Sequence, residues 1–163
     1  MIRGCYLFSS KEVSKSADKL PITHQKTAFD AAHSAAVTLL GSGAIMTEVV
    51  KAAEMLTAQG IKVHVVSVTS WSELARDGLA LENDPENLPW IERVLNLTEG
   101  PIVAATDYVR AVPEQIRAYL PPGREYKTLG TDGFGRSDQR AVLRAYFEVD
   151  AASVVKAALA MLA

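Results

Sequence analysis

The chain has a single cysteine, Cys5, so it can form no internal disulfide and no thiolate-rich zinc site. That usage fits a cytoplasmic or otherwise reducing compartment. Charge of one sign is scarce as well: 17 Lys and Arg stand against 19 Asp and Glu, a formal net charge of −2. A surface so balanced lacks the basic stripe that a phosphate backbone requires, which argues against a nucleic-acid partner. Long apolar runs are missing too; none approaches the roughly 18 residues of a membrane span, which argues against a membrane partner. The start, "MIRGCYLFSS", has one Arg, a very short apolar stretch and no small-residue cleavage pattern, so it makes a poor secretory signal.

What is present is an ordinary globular composition. The 163 residues are 48% hydrophobic and 22% charged, enough for one domain with a real core. Residues 4–8, "GCYLF", read as a short strand. Residues 9–35 are mostly polar, contain Pro21 and hold no sustained period, so a long loop is expected there, with a helical turn near Phe29. From Ala36 the pattern becomes regular. "AVTLLGSG" is an apolar run ending in glycines, as in a buried strand entering a tight turn. Ile45, Val49, Ala52, Ala53 and Leu56 then recur at helical spacing, and Gly60 is placed to close that helix.

"IKVHVVSVTS" predicts a second buried strand, and residues 71–96 two short helices broken around Asn83, Asp84, Pro85 and Pro89. "PIVAATD" and "EYKTLGTD" are further strands, separated by a helix over "VPEQIRAYL" with Pro113 in its first turn. "SDQRAVLRAYF" and "AASVVKAALAMLA" close the chain as helices, the second capped by Asp150. The alternation predicts an α/β fold: a three-layer, doubly wound, mostly parallel sheet of about five strands with helices on both faces.

Few motifs survive a chemical test. A strand ending in Gly41-Ser42-Gly43 before a helix is where dinucleotide folds seat a pyrophosphate. Here Met46 stands where a third small residue belongs, and the next strand ends in Ser67, Val68, Thr69 and Ser70 rather than an acidic residue. A tight turn is the simpler reading. Gly130-Thr131-Asp132-Gly133 has the wrong spacing for a Gly-Asp-Gly thiamine diphosphate motif, and no Asn follows Asn96 to complete its magnesium site. No nucleophile elbow is present, His64 alternates with valines inside a strand, and Cys5 sits in the first strand as a packing residue. No catalytic, cofactor-binding or metal-binding residue is therefore expected in this chain.

The run "GTDGFGRSD" remains. It lies between a strand's carboxyl end and a helix, where open α/β sheets place functional groups. Gly133 and Gly135 permit unusual backbone angles, Phe134 would project outward, Ser137 or Asp138 could cap the next helix, and Arg136 could pair with Asp132 or Asp138. A self-paired turn and a rim of a site or interface stay equally open on these residues alone.

The stretches "VTLLGSGAIMTEVVKAAEML", "VVSVTSWSELARDGLALE", "VAATDYVRAVPEQIRAYLPP" and "LGTDGFGRSDQRAVLRAYFEVDAASVV" closely resemble the C-terminal domain of the homodimeric E1 component of the bacterial pyruvate dehydrogenase complex. More distantly the pattern is similar to transketolase C-terminal domains, which share the Asp-x-Phe-Gly-x-Ser run found here at Asp132, Phe134, Gly135 and Ser137. The resemblance covers roughly Val37 to the C-terminus. It implies a single domain over 1–163 that is a fragment of a longer chain. It implies a parent enzyme that decarboxylates pyruvate on thiamine diphosphate with magnesium and acetylates the lipoyl group of E2. Its partners would be the other domains of the same E1 chain, a homodimer partner and the E2 lipoyl acetyltransferase. This domain would be structural, itself inactive, with Asp132, Phe134, Arg136, Ser137 and Asp138 as an interface or active-site rim. The length of the polar segment departs from the family pattern and leaves His24 and His33 without a family role. Two other readings stay open: a stand-alone nucleotide-like binding protein using the glycine turn, and a docking module for E2.

Overall fold

A computed structural model describes residues 3–11, 35–84 and 86–163. Five strands form one sheet: β1 (Cys5–Lys11), β2 (Ala36–Ser42), β3 (Lys62–Val68), β4 (Ile102–Ala105) and β5 (Tyr126–Leu129). Their order is β1-β3-β2-β4-β5, with β1 antiparallel to β3 and every other pair parallel. The sheet is the expected one, mostly parallel and doubly wound. The first strand runs farther than its apolar letters suggested. Cross-strand pairing carries it past a bulge between Leu7 and Ser9 to Lys11, because β3 offers Val65, His64 and Val63 as partners there. Ser9, Ser10 and Lys11, expected in the loop, belong to β1 instead. His24, His33 and the turn near Phe29 lie outside the described residues.

Side-chain alternation splits the core in two. Val37, Leu39, Val63, Val65, Val103 and Ala105 point to one face, where α1 (Met46–Thr57) and α6 (Ala151–Leu162) cover them. Leu40, Val66, Val68, Ile102 and Ala104 point to the other, covered by α2 (Trp71–Leu81) and α3 (Trp90–Leu95). Both faces of β2, β3 and β4 are thus largely dry, which explains why they read as continuous apolar runs. Gly60, at φ +83, closes α1 as its position suggested, and Asp150 accepts the Ser153 N–H at 3.0 Å to start α6.

Two helices differ from their sequence pattern. "VPEQIRAYL" forms only a four-residue turn, α4 (Ala111–Glu114), and a 3-10 turn at Arg117–Tyr119. Arg117 is drawn away by Glu114 and the Tyr126 carbonyl, and the segment packs as an irregular strap beside β5. The helix α5 (Arg140–Tyr146) is seven residues long and has no buried residue at all. His64 is a packed histidine, 3% exposed, with Nδ1 3.0 Å from the Ser10 hydroxyl.

Candidate functional site

The strand order reverses between β2 and β4: β3 lies on one side of β2, and the chain crosses back to add β4 and β5 on the other. Loops leaving the carboxyl ends of β2 and β4 diverge there, opening a crevice where doubly wound folds bind their ligands. A buried hydroxyl pair sits beneath it. Ser42 Oγ is 2.8 Å from Thr106 Oγ1, and the Trp71 indole N–H donates to Ser42 Oγ at 3.1 Å. Thr106 Oγ1 also accepts from the Tyr108 N–H, so the β4 loop is fastened to the sheet at its first turn.

The Gly-x-Gly turn is a packing device in this geometry. A Cβ at Gly41 would strike Met46 Sδ at 2.8 Å and Val49 at 3.0 Å, so the missing side chain lets α1 approach β2. Gly43, at φ +54, faces the Asp107 carboxylate, an acidic neighbour unsuited to a pyrophosphate cradle.

The run at 130–138 stands over the same edge, and its internal pairing differs from expectation. The Asp132 side chain pairs with neither Arg136 nor any residue of its own loop. It accepts the Arg110 backbone N–H at 2.9 Å and the Arg110 guanidinium as well, joining the β5 loop to the β4 loop. Arg110 wins because the Thr131 N–H also donates to the Tyr108 carbonyl at 2.8 Å, which fixes the two loops side by side. Those hydrogen bonds from Arg110 hold the Asp132 carboxyl below its usual range. Arg136 instead stacks over Tyr146, its guanidinium carbon 4.3 Å from the ring centroid.

Neither Ser137 nor Asp138 caps α5. Gln139 occupies the cap position without a side-chain bond, and Asp138 accepts only the adjacent Gln139 N–H. Gly133 adopts φ +87, which favours glycine, whereas Gly135 does not use that freedom. Phe134 projects into solvent, 96% exposed. From 131 to 148 no residue is buried, and half-exposed Tyr108, Val109, Val142 and Tyr146 extend the same apolar surface.

Behind this arm lies a cleft of about 440 Å³, walled by Ile45, Leu143, Phe147 and Val149 on one side and edged by Arg136, Arg140, Arg144 and Asp107. Sequence reasoning passed over Asp107, Arg140 and Arg144. The first is legible as the polar residue that ends "PIVAATD", and the two arginines as an i, i+4 pair on α5. Glu48, also missed, is a buried carboxylate on α1 that accepts from Arg144 at 2.8 Å, Lys51 at 3.2 Å and the Ala151 N–H at 3.2 Å. It anchors α5 and the start of α6 to α1. Burial raises its proton affinity, but these hydrogen bonds and the charges of Lys51 and Arg144 outweigh that and hold its carboxyl below the usual range.

A family model described as the transketolase-like C-terminal domain matches residues 26–150. The chain belongs to that family. This transketolase-like domain is 50% identical over 142 residues to the pyruvate dehydrogenase E1 component of Pseudomonas aeruginosa, covering 82% of this chain and 16% of that protein. The E1 component of Escherichia coli K12 is 49% identical over 78% of the chain, and that of Mycobacterium tuberculosis 47% identical over 77%. The chain spans only 14 to 16% of the length of these relatives. Among solved structures, a transketolase from Campylobacter jejuni superposes with a TM-score of 0.58 at 22% identity, over 97% of this chain and 18% of its own. A split-gene transketolase, described as an inactive beta4 tetramer, gives 0.53 at 23% identity, over 78% of this chain and 40% of its own. These likenesses confirm the fold. Among the described residues of the transketolase-like domain, no three His, Cys, Asp or Glu side chains come together as a metal cage, and no helix is long and apolar enough to cross a membrane.

Proposed function

We propose that this chain is the C-terminal structural and dimerisation domain of a pyruvate dehydrogenase E1 enzyme. The parent would decarboxylate pyruvate on thiamine diphosphate and acetylate the lipoyl group of E2 in the bacterial cytoplasm. Its cofactor and magnesium would be held by other domains of the E1 chain. The identity of 47 to 50% to E1 components supports the parent's assignment.

The observation that carries the role of this domain is the unburied arm at 131–148. A helix with no fully buried residue, beside a 96% exposed phenylalanine, buries little apolar surface against this chain's own core. Aromatic residues ringed by arginine are the composition of interface hot spots. Asp132, Phe134, Arg136, Ser137 and Asp138 then form the part of the surface that meets the other domains and the second subunit of a homodimer. The role assigned to them is architectural.

The test is an immunoblot of source cells with an antibody raised against this domain. The parent reading expects a band several-fold heavier than 17.6 kDa. A single band at the chain's own size would overturn it.

A further inference from the structure

The cleft behind the arm has features that an architectural role leaves unused. We propose that it binds a small organic phosphate monoester with an apolar body. The inference rests on this chain alone and does not depend on the parent enzyme.

The cleft's volume of about 440 Å³ lies within the range of small-molecule sites. Its position, between the turn after β2 and the end of β4, is the topological switch point of the sheet. Three guanidiniums edge it, in three different states. Arg144 is neutralised by Glu48 at 2.8 Å. The Arg136 guanidinium carbon stands 4.3 Å from the Tyr146 ring centroid, a contact with the π face that uses up none of its N–H donors. Arg140 makes no ion pair or hydrogen bond among the described residues. Two guanidiniums on one cleft, neither with a carboxylate partner among the described residues, supply the charge-assisted donors that a dianionic phosphate accepts from.

The opposite wall decides the rest of the ligand. Leu143 and Phe147 are half-buried, so an apolar group of the ligand would cover surface that water now touches. Asp107 is the one acidic residue at the edge, and it opposes the anion. Its removal should therefore strengthen binding, a direction opposite to the usual loss on mutating a site.

The experiment is a thermal-unfolding titration of the 163-residue chain with phenyl phosphate, at ionic strength matched by potassium chloride. Saturable stabilisation is expected, reaching roughly 8 °C at a hundredfold excess over the dissociation constant. Inorganic phosphate should bind more weakly and benzyl alcohol not measurably, since each offers half of the ligand. R136M/R140M should weaken phenyl phosphate at least tenfold while leaving the unliganded midpoint within about 2 °C, both side chains being exposed. Asp107→Asn should tighten it about threefold or more, which tests the site with a variant that keeps both arginines. Retention of the full shift in R136M/R140M, a shift reproduced by potassium chloride, or no shift at all would overturn the proposal. Equal affinity for benzoate would overturn the phosphate assignment. The parent enzyme's identity is read separately, by the immunoblot, and stands or falls independently of these titrations.

Discussion

Asp132 takes both the backbone N–H and the guanidinium of Arg110, so one carboxylate clamps the loop after β5 to the loop after β4. The clamp spans 22 positions of sequence and holds the base of an arm that has no buried residue of its own. Asp132→Ala should leave the sheet intact and loosen the arm. Trypsin should then cut after Arg136 or Arg140 several-fold faster, with little change in the urea midpoint. An unchanged cleavage rate would show that the arm is held by other contacts. Acid should act in the same direction. The folded carboxyl titrates below its ordinary value of 3.8, so the clamp is intact above that pH and opens as pH falls through the lowered value.

Glu48 carries the larger energetic weight, because its carboxylate is buried and three donors converge on it. Glu48→Ala strands Arg144 and the Ala151 N–H and should cost about 2–4 kcal/mol in urea unfolding at pH 7. The folded-state affinity for a proton is lowered, so the contribution is full above the ordinary carboxyl value of 4.5 and fades as pH falls through the depressed one. The difference between wild type and Glu48→Gln should therefore shrink steadily below pH 4.5. A difference that stays constant into strong acid would mean that shape, and not charge, is what Glu48 supplies.

The sheet was legible in the sequence because β2, β3 and β4 are buried on both faces and have no choice but to be apolar. Gly60 and Asp150 were legible because helix ends have local chemistry. Ser70 was equally readable: "SWSE" places a glutamate three residues after a serine, and Ser70 accepts the Glu73 N–H at 3.2 Å. The partners of Asp132 and Arg136 were not readable. Arg110 and Tyr146 reach them from other loops and helices, and a preference for near neighbours in sequence pointed to the wrong pairs. Nothing in the local sequence marks Glu48 for burial, for the same reason. The groups that bury it, Arg144 and Ala151, come about a hundred positions later and are brought back by the fold.

Cys5 should be chemically silent in the folded chain. Burial, with a smaller contribution from Asp77, pushes its thiol up to about 12, so the thiolate is a negligible fraction at pH 8. Reaction with a disulfide reagent at that pH should be at least about a hundredfold slower than in urea, where the ordinary thiol returns. Equal rates in the two conditions would mean that β1 opens freely at its edge of the sheet.

Ser42 tests the buried polar knot beneath the switch point. Its hydroxyl oxygen accepts from the Trp71 indole and shares a proton with Thr106, so Ser42→Ala leaves two buried polar groups short of a partner. The cost should be about 1–3 kcal/mol, larger than the loss of one small hydroxyl would suggest. Pairing it with Thr106→Val removes one of the stranded groups together with its partner, and the double variant should unfold no more easily than the single one. Trp71 fluorescence during urea unfolding reads both. Additive losses, with the double variant clearly weaker than Ser42→Ala, would mean that each hydroxyl is satisfied independently and that the knot does not act as a unit in fastening the β4 loop.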